Sequence, residues 1–337
     1  MIDLMDYGYQ GGEADLADGL VAARITELHR ELYKAVCPYG EVTAILKGSY
    51  LHHVEDRSSY PAVGDFVLLK YNAAGRSSIV KLLPRRSTFS RTDFSGHAVG
   101  YVKTILEQVV AANFDYVFIM SSLNQDFNLN RIARYLSQAR QSGGTPVVIL
   151  TKADLCVNCE AQVEAIRELD QDVEVFPISS YTGTGLDKVA SYLQSGKTVV
   201  FLGMSGVGKS SLLNALAGKE LMAVSEIRED DSRGRHTTTH RQLIRLPSGA
   251  MIIDTPGMRE LGLWNADEGI STVFEDLEAL IARCRFSDCS HHTEPGCAVQ
   301  AALADGSLAQ NRWESYLSQK QEAAFVHRKV RSEKRRR

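Results

Sequence analysis

A glycine-rich segment that ends in lysine and serine has the composition of a phosphate-binding loop. It runs from Gly203 to Ser210 as Gly-Met-Ser-Gly-Val-Gly-Lys-Ser and fits the pattern G-x-x-x-x-G-K-[ST]. Backbone N–H groups and the following helix hold phosphates in such loops, while the lysine reaches the β- and γ-phosphates and the serine ligates Mg²⁺. The sequence therefore predicts a nucleoside triphosphate site. Its residues are Gly203, Met204, Ser205, Gly206, Val207, Gly208, Lys209, Ser210 and Ser211.

A second segment bears on which base the nucleotide carries. An apolar strand over 147–150 leads directly into Thr151, Lys152, Ala153 and Asp154. A carboxylate at Asp154 can accept two hydrogen bonds from guanine N1–H and N2–H₂, a donor pair that adenine does not offer. The usual guanine-recognition sequence is Asn-Lys-x-Asp, so the threonine leaves one side-chain contact open. Taken alone, the segment fits a solvated loop better.

Further segments favour GTP over ATP. Ser179 and Ser180 end the next predicted strand, where a backbone N–H meets guanine O6. Asp254 follows an apolar strand and is predicted to hold Mg²⁺ through water, and Gly257 to sense the γ-phosphate. A run of threonines over 237–239 lies where a mobile loop offers a Mg²⁺ ligand; Thr238 is the named candidate, and the sequence leaves open which of the three threonines binds the ion.

The order of these segments is unusual for a GTPase. The guanine segments (151–154 and 179–180) precede the phosphate loop (203–210), whereas an ordinary GTPase has them after it. A circularly permuted sheet is therefore predicted, which is tolerated where chain ends lie at the surface. In this order the Asp254 segment leads directly into the C-terminal module.

A cluster of cysteines and histidine predicts a structural zinc site. Three thiolates and one imidazole within fourteen residues suit tetrahedral Zn²⁺ with no open position. The predicted ligands are Cys284, Cys289, His291 and Cys297. The adjacent His292 is the rival imidazole. Cys156 and Cys159 have no second ligand pair nearby and are interpreted as incidental thiols.

The elements that must position these residues divide the chain into three domains and an extension. Residues 1–18 form an acidic N-terminal extension, read as at most one frayed helix, and 19–90 contain five short predicted strands typical of an OB-fold barrel. In 91–270 apolar strands alternate with helices, which indicates an α/β domain with a parallel sheet. Residues 271–337 are predicted to be a mostly helical zinc-binding domain with a basic tail.

Charge and composition limit the kinds of partner that the chain is expected to bind. The chain has 337 residues with 44% hydrophobic content, and its apolar runs are far shorter than a membrane helix needs. The N-terminus has no basic region of a secretory signal, so reduced cysteines, a cytoplasmic location and no membrane partner are expected. Net charge is -5 over residues 1–18 and +6 over 328–337, and the basic tail suits either RNA phosphates or solvent. Barrel cations that could contact RNA phosphates are Lys70, Lys81, Arg85, Arg86 and Arg91, although a barrel that only packs on its neighbour is the alternative.

The permuted order, the barrel and the Cys-x₄-Cys-x-His-x₅-Cys cluster together resemble the RsgA/YjeQ family of small ribosomal subunit biogenesis GTPases. The resemblance covers about residues 19–330 and includes Gly234-Arg235-His236-Thr237-Thr238-Thr239. It implies an OB-fold, a circularly permuted GTPase domain and a C-terminal zinc domain. It also implies slow GTP hydrolysis that the 30S subunit stimulates late in its maturation, with contacts to 16S rRNA. A monomer is the default expectation.

The sequence lacks the glutamine that takes part in catalysis in Ras-like GTPases, so another residue must take its role. Met258 stands where Ras-like GTPases have the glutamine that orients the attacking water. The resemblance points to His236 as the catalytic residue that positions this water, and the alternative is that His236 packs or contacts rRNA. Met258 also leaves open a GTP-dependent RNA-binding assembly factor in which hydrolysis is incidental. A membrane or protein-sorting GTPase is disfavoured by the barrel, the zinc cluster and the lack of an apolar or lipidated anchor.

Overall fold

The computed structural model describes residues 1–11, 19–29, 32–51, 57–93, 106–124, 127–204, 206–220, 241–254 and 267–334. Ser205, His236, Thr238 and Gly257 lie outside these residues, so their predicted roles remain predictions.

The N-terminal half begins with a closed five-stranded barrel, which confirms the predicted OB-fold architecture. Its strands are β1 (Val21–His29), β2 (Leu32–Cys37), β3 (Gly40–Leu46), β4 (Phe66–Lys70) and β5 (Ser77–Leu82). They pair in the order β1-β2-β3-β5-β4, and β4 returns to pair with β1. Alternate side chains such as Tyr33, Ala35 and Cys37 of β2 fill the interior, because successive residues of a strand face opposite sides.

The α/β domain, predicted from the sequence to bind GTP, is built on a largely parallel sheet. Its strands are β8 (Tyr116–Ser122), β9 (Thr145–Thr151), β10 (Glu174–Pro177), β11 (Thr198–Gly203), β12 (Gln242–Arg245) and β13 (Met251–Asp254). They lie in the order β10-β9-β8-β11-β13-β12, and all neighbouring pairs except β12–β13 are parallel. The helices that connect them are α2 (Leu129–Gln141), α3 (Glu160–Arg167), α4 (Leu186–Ala190) and α5 (Lys209–Ala217). Two apolar clusters, one on each face, bury the central strands, as a doubly covered parallel sheet requires.

A short helix and a hairpin complete the region before this sheet. Helix α1 (Gly48–Leu51) follows β3, and β6 (Thr88–Asp93) pairs with β7 (Leu106–Ala112) as a separate antiparallel hairpin. The stacked rings of Phe89 and Phe114 anchor the hairpin to the main core. The sequence analysis did not predict this hairpin.

The C-terminal region is helical, as predicted. It begins with two helices, α6 (Asp267–Val273) and α7 (Glu275–Ile281), which meet at the buried Phe274. The backbone of Phe274, with φ of -116° and ψ of 32°, departs from helical values and separates the two helices. Helices α8 (Ala298–Asp305) and α9 (Gln310–Lys334) follow. Helix α9 packs against α2, where Arg134 forms an ion pair with Glu322 at 2.7 Å.

The barrel and the parallel sheet are joined edge to edge. Glu27 of β1 pairs with Gln242 of β12, so eleven of the described strands form one continuous sheet, and β6 and β7 stay apart from it. The loop before β4 is wedged into this junction: Gly64 has φ +91°, and a Cβ placed there would lie 2.1 Å from the carbonyl oxygen of Ala112. Only glycine fits a backbone this close to another at such a φ.

A fully buried arginine lies at the same junction. Arg24 of β1 donates hydrogen bonds to the carbonyl oxygens of Gly64, Asn113 and Tyr7, and its guanidinium lies 5.0 Å from the ring centroid of Phe66. Burial lowers the pKa of Arg24 to about 9, which leaves the guanidinium charged at neutral pH. The Arg24 contacts therefore hold the barrel, the α/β domain and the N-terminal segment together.

The start of the acidic extension is docked, not frayed. A 3₁₀ turn over Leu4–Tyr7 buries Leu4, capped by the Asp3 side chain at one end and by Gly8 in the left-handed conformation at the other. Asp6 forms an ion pair with Arg245 at 3.4 Å. The expectation of a frayed helix was based on the acidic charge of this segment. The apolar residues between the acidic ones explain why the segment is docked instead. Among the residues described, no helix has both the length and the apolar character required to span a membrane.

Candidate functional site

The phosphate-binding segment joins the end of β11 to the start of α5. Gly206 and Gly208 have φ values of +69° and +102°, in the left-handed region that turns successive N–H groups to one side. Gly208 caps the amino end of α5, which begins at Lys209. The Lys209 ammonium donates to the carbonyl oxygen of Gly203 at 3.4 Å, so it folds back over the loop. This is the strand–loop–helix arrangement that phosphate binding requires.

The guanine segment is hydrogen-bonded directly to the phosphate loop. The buried hydroxyl of Thr151 donates to the carbonyl oxygen of Val207 at 2.6 Å. β9, which ends at Thr151, lies two strands from β11 in the sheet, with β8 between them. The threonine that departs from the usual asparagine thus makes a side-chain contact that ties the two loops together.

The two guanine segments also contact each other. The N–H of Ala153 donates to the carbonyl oxygen of Ile178 at 2.9 Å. The hydroxyl of Ser179 accepts hydrogen bonds from the N–H groups of Tyr181 and Thr182, and this holds the second loop in a tight turn. Asp154 is exposed at the end of the first loop, so its carboxylate is accessible to a base.

Ser180 is half-buried beside this turn, and Lys152 adopts the left-handed conformation with φ +60°. The conformation of Lys152 reverses the chain between β9 and the 3₁₀ turn over Ala153–Leu155. These loops bring the predicted base-binding residues to one edge of the sheet.

Asp254 lies at the same edge as the phosphate loop. β13 and β11 are parallel neighbours with Ile253 opposite Val200, so the carboxyl ends of both strands meet there. Burial raises the pKa of Asp254, and the positive charge of Lys209 partly offsets this effect. A buried carboxylate near a lysine is suited to hold a hydrated divalent cation, whose charge favours the ionised form.

The Cys/His cluster has dimensions that fit zinc. The ligand atoms of Cys284, Cys289, His291 and Cys297 all lie within 4.8 Å of one another. A tetrahedral zinc ion requires about 3.8 Å between two sulfurs and about 3.6 Å between sulfur and nitrogen. The Sγ atoms of Cys284 and Cys297 are 4.0 Å apart, and Nδ1 of His291 lies 3.5 Å from each. Three thiolates and an imidazole with this spacing would hold Zn²⁺.

Contacts around the cluster orient the imidazole. The ring of His291 meets Trp313 of α9 edge-on, with centroids 5.5 Å apart, and the side chain of Gln300 donates to its carbonyl oxygen at 2.6 Å. Desolvation opposes ionisation of Cys284, but hydrogen bonds from the N–H groups of Ala298 and Val299 outweigh it and lower its pKa. Burial raises the pKa of Cys289 to about 11.

One barrel cation proposed for phosphate contacts is already engaged. Arg85 forms a two-pronged ion pair with the buried Asp65 at 2.8 and 2.7 Å, and it donates to the carbonyl oxygens of Ser58 and Tyr60. It therefore stabilises the loop at the junction and is not available to RNA. Lys70 and Lys81 are exposed on the barrel.

Contacts between residues that are far apart in the sequence were not predicted. Trp313 lies on α9, whereas His291 lies in the loop before α8, and no local sequence pattern connects them. The hydrogen bond between Thr151 and Val207 could have been predicted from the sequence, because threonine, like asparagine, has a short side chain that can donate a hydrogen bond.

Comparison with known proteins places the chain among related sequences. A family model described as RsgA GTPase matches residues 82–264. The small ribosomal subunit biogenesis GTPase RsgA 2 of Lactiplantibacillus plantarum is 41% identical over 327 residues, which is 96% of this chain and 90% of the relative. The RsgA 1 protein of Listeria innocua is 44% identical over 306 residues, 91% of this chain and 84% of the relative.

Solved structures show the same fold at lower identity. YjeQ from Thermotoga maritima superposes with a TM-score of 0.62 at 24% identity, covering 90% of this chain and 99% of that one. YloQ, described as a circularly permuted GTPase, gives a TM-score of 0.56 at 22% identity, covering 90% of this chain and 95% of that one. The permuted order predicted from the sequence is thereby confirmed at the level of the fold.

Proposed function

This chain belongs to the RsgA GTPase family, and from that premise we propose that it hydrolyses GTP on the small ribosomal subunit during late maturation. In this proposal the protein binds 16S rRNA while GTP is bound, and hydrolysis releases it. The 30S subunit stimulates the reaction. The protein acts in the cytoplasm as a monomer, without a membrane partner.

The hydrogen bond from Thr151 to Val207 is the observation that carries the nucleotide part of this proposal. It connects the segment that reads the base to the loop that holds the phosphates, so both ends of one nucleotide are bound by a single rigid edge of the sheet. The base contacts are proposed for Asp154, the Lys152 stem and the loop at Ser179 and Ser180. A nucleotide with another base loses the paired hydrogen bonds to the Asp154 carboxylate.

Divalent cations complete the proposed chemistry. Mg²⁺ bound with GTP neutralises charge on the β- and γ-phosphates, and Ser210, Thr238 and Asp254 are the residues that would hold it. Lys209 binds the same phosphates. His236 positions the attacking water when the protein is bound to the 30S subunit. Zn²⁺ at Cys284, Cys289, His291 and Cys297 is structural and holds the C-terminal module together.

The test is the rate of GTP hydrolysis by the purified protein, alone and with 30S subunits, beside a His236→Ala variant. We expect a steep rise with 30S subunits that the variant loses while it still binds GTP. Stimulation that survives in the variant would remove His236 from the chemistry but keep the function.

The control is His240→Ala, which removes a histidine on the other side of the threonine run. It should keep 30S stimulation. If the wild-type rate does not change with 30S subunits while GTP-dependent binding to them persists, the hydrolase function is wrong and the chain is a GTP-dependent RNA-binding factor.

A further inference from the structure

A groove on the barrel has the shape and chemistry of a site for one unpaired base. Its volume is about 530 Å³, and it lies between β3, the first residue of β2 and the loop that joins β4 to β5. OB-folds bind oligonucleotides on this strand face and beside this loop. Side chains that line it with groups suited to a nucleotide are Glu41, Thr43, Tyr71 and Arg76.

Tyr71 supplies an aromatic surface in this groove. Its ring contacts Tyr39, with centroids 4.5 Å apart and planes tilted by 34°. Tyr39 is 59% exposed, whereas Tyr71 also packs against the apolar interior of the barrel. The barrel interior and the second ring therefore hold Tyr71 in place. Aromatic rings fixed in this way bind unstacked bases with little loss of side-chain freedom.

The polar groups in the groove could distinguish between bases. Glu41 and Arg76 are both exposed, one an acceptor and the other a donor. The Asn72 side chain accepts from the N–H of Ala74, and this fixes the turn of the β4–β5 loop that leads to Arg76. A carboxylate accepts a hydrogen bond from the N4 amino group of cytosine, but uracil presents a carbonyl oxygen at that position. Arg76 suits the adjacent phosphate.

We propose that this groove binds a single unpaired, amino-bearing base of single-stranded RNA, stacked on Tyr71, with its amino group donating to Glu41. The proposal deepens the proposed function, on which it rests for RNA as the partner. The other occupant such a groove could take is a protein segment, and the test separates the two.

The probes are fluorescein-labelled octamers of cytidine and of uridine ribonucleotides, titrated with the full chain bound to a non-hydrolysable GTP analogue and Mg²⁺. Fluorescence anisotropy reports the dissociation constants. The cytidine octamer should bind more tightly than the uridine octamer. Tyr71→Ala should weaken binding of both octamers about tenfold, because the stacking contact between the base and the aromatic ring is lost. Tyr71→Phe should bind like the wild type.

Glu41→Gln should reduce or abolish the preference for cytidine, because an amide is a weaker acceptor for the amino group than a carboxylate. Since Tyr71 also packs inward, thermal unfolding of each variant is measured, and Glu41→Gln tests the site without a change in packing. The matched control is Tyr60→Ala, which removes a partly exposed tyrosine away from the groove.

Equal weakening by Tyr60→Ala and Tyr71→Ala, or octamer binding that Tyr71→Ala leaves unchanged, would overturn the proposal. So would a wild-type protein that binds neither octamer, in which case a protein segment is the better occupant. None of these results depends on 30S stimulation of GTP hydrolysis. The octamer titrations can therefore contradict base binding in the groove while the hydrolysis assay still supports the proposed function, and the reverse.

Discussion

The hydroxyl of Thr151 lies 2.6 Å from the carbonyl oxygen of Val207 and donates a hydrogen bond to it. This bond spans 56 residues of sequence and joins the two nucleotide-binding loops. In the usual guanine segment the position holds an asparagine, whose longer amide has both a donor and an acceptor. The shorter threonine side chain donates through its hydroxyl, within a buried site where an unpaired carbonyl is costly.

The first prediction concerns this bond. Thr151→Val keeps the shape of the side chain but removes the donor, leaving the Val207 carbonyl without it. We expect GTP and GDP affinity to fall about tenfold, since an unmade buried hydrogen bond costs about 1–3 kcal/mol. Titration calorimetry measures the change. Thr151→Ser, which retains the hydroxyl, should bind nearly as the wild type, and equal loss in both variants would contradict this account.

Base selectivity gives a second prediction. Asp154→Asn replaces one acceptor oxygen with a donor amide, so GTP affinity should fall at least about 100-fold. Xanthosine triphosphate has a carbonyl in place of the guanine amino group, and its affinity should rise in the variant. Competition for a fluorescent guanine nucleotide provides the measurement. Glu160→Gln, a nearby exposed carboxyl change, should leave both affinities unaltered.

A third prediction decides between the adjacent histidines. Because Nδ1 of His291 lies 3.5 Å from two cysteine sulfurs, His291→Ala should lose bound zinc and loosen the contact with Trp313. His292→Ala should keep a full equivalent of zinc, measured by elemental analysis after dialysis against a mild chelator. Tryptophan fluorescence during zinc removal gives a second readout. Zinc loss in the His292 variant alone would reassign the ligand.

The junction between barrel and GTPase domain gives a fourth prediction. Gly64→Ala forces a Cβ to within 2.1 Å of the Ala112 carbonyl oxygen, so the backbones must separate. We expect a loss of about 3 kcal/mol or more in the free energy of unfolding, as measured by urea denaturation. Gly40→Ala is the matched control, because its φ is +121° and no heavy atom lies within 4 Å of the added Cβ. It should cost about 1 kcal/mol.

Sequence patterns predicted those parts of the fold that are set locally. All five barrel strands and the strands that carry the nucleotide segments were placed by alternating or continuous apolar residues. The cysteine spacing predicted that Cys284, Cys289, His291 and Cys297 lie together, because metal geometry restricts which side chains can meet. Helix α8 and the β6–β7 hairpin were missed, because short segments have weak periodicity and are fixed by packing on distant elements.

The junction could not be predicted, because its causes lie far apart in the chain. Nothing near Arg24 indicates that its guanidinium will be buried among carbonyl groups from three other segments. The same holds for Arg85, whose partner Asp65 turns an expected RNA contact into a structural ion pair. In both cases the sequence predicts an exposed charged residue, because the hydrogen-bond acceptors that bury it come from distant segments of the chain.

The position of Arg24 has a consequence for how this chain is made. Its hydrogen-bond acceptors come from residues 7, 64 and 113, and its guanidinium also contacts Met251, which lies 227 residues further along. During synthesis from the N-terminus, the barrel strands emerge long before β13 does. The barrel can therefore close early, but the buried charge on β1 lacks its complete surroundings until the last strand of the GTPase sheet has been translated. A nascent chain halted before that strand should present a barrel whose β1 face is still open to water and to chaperones.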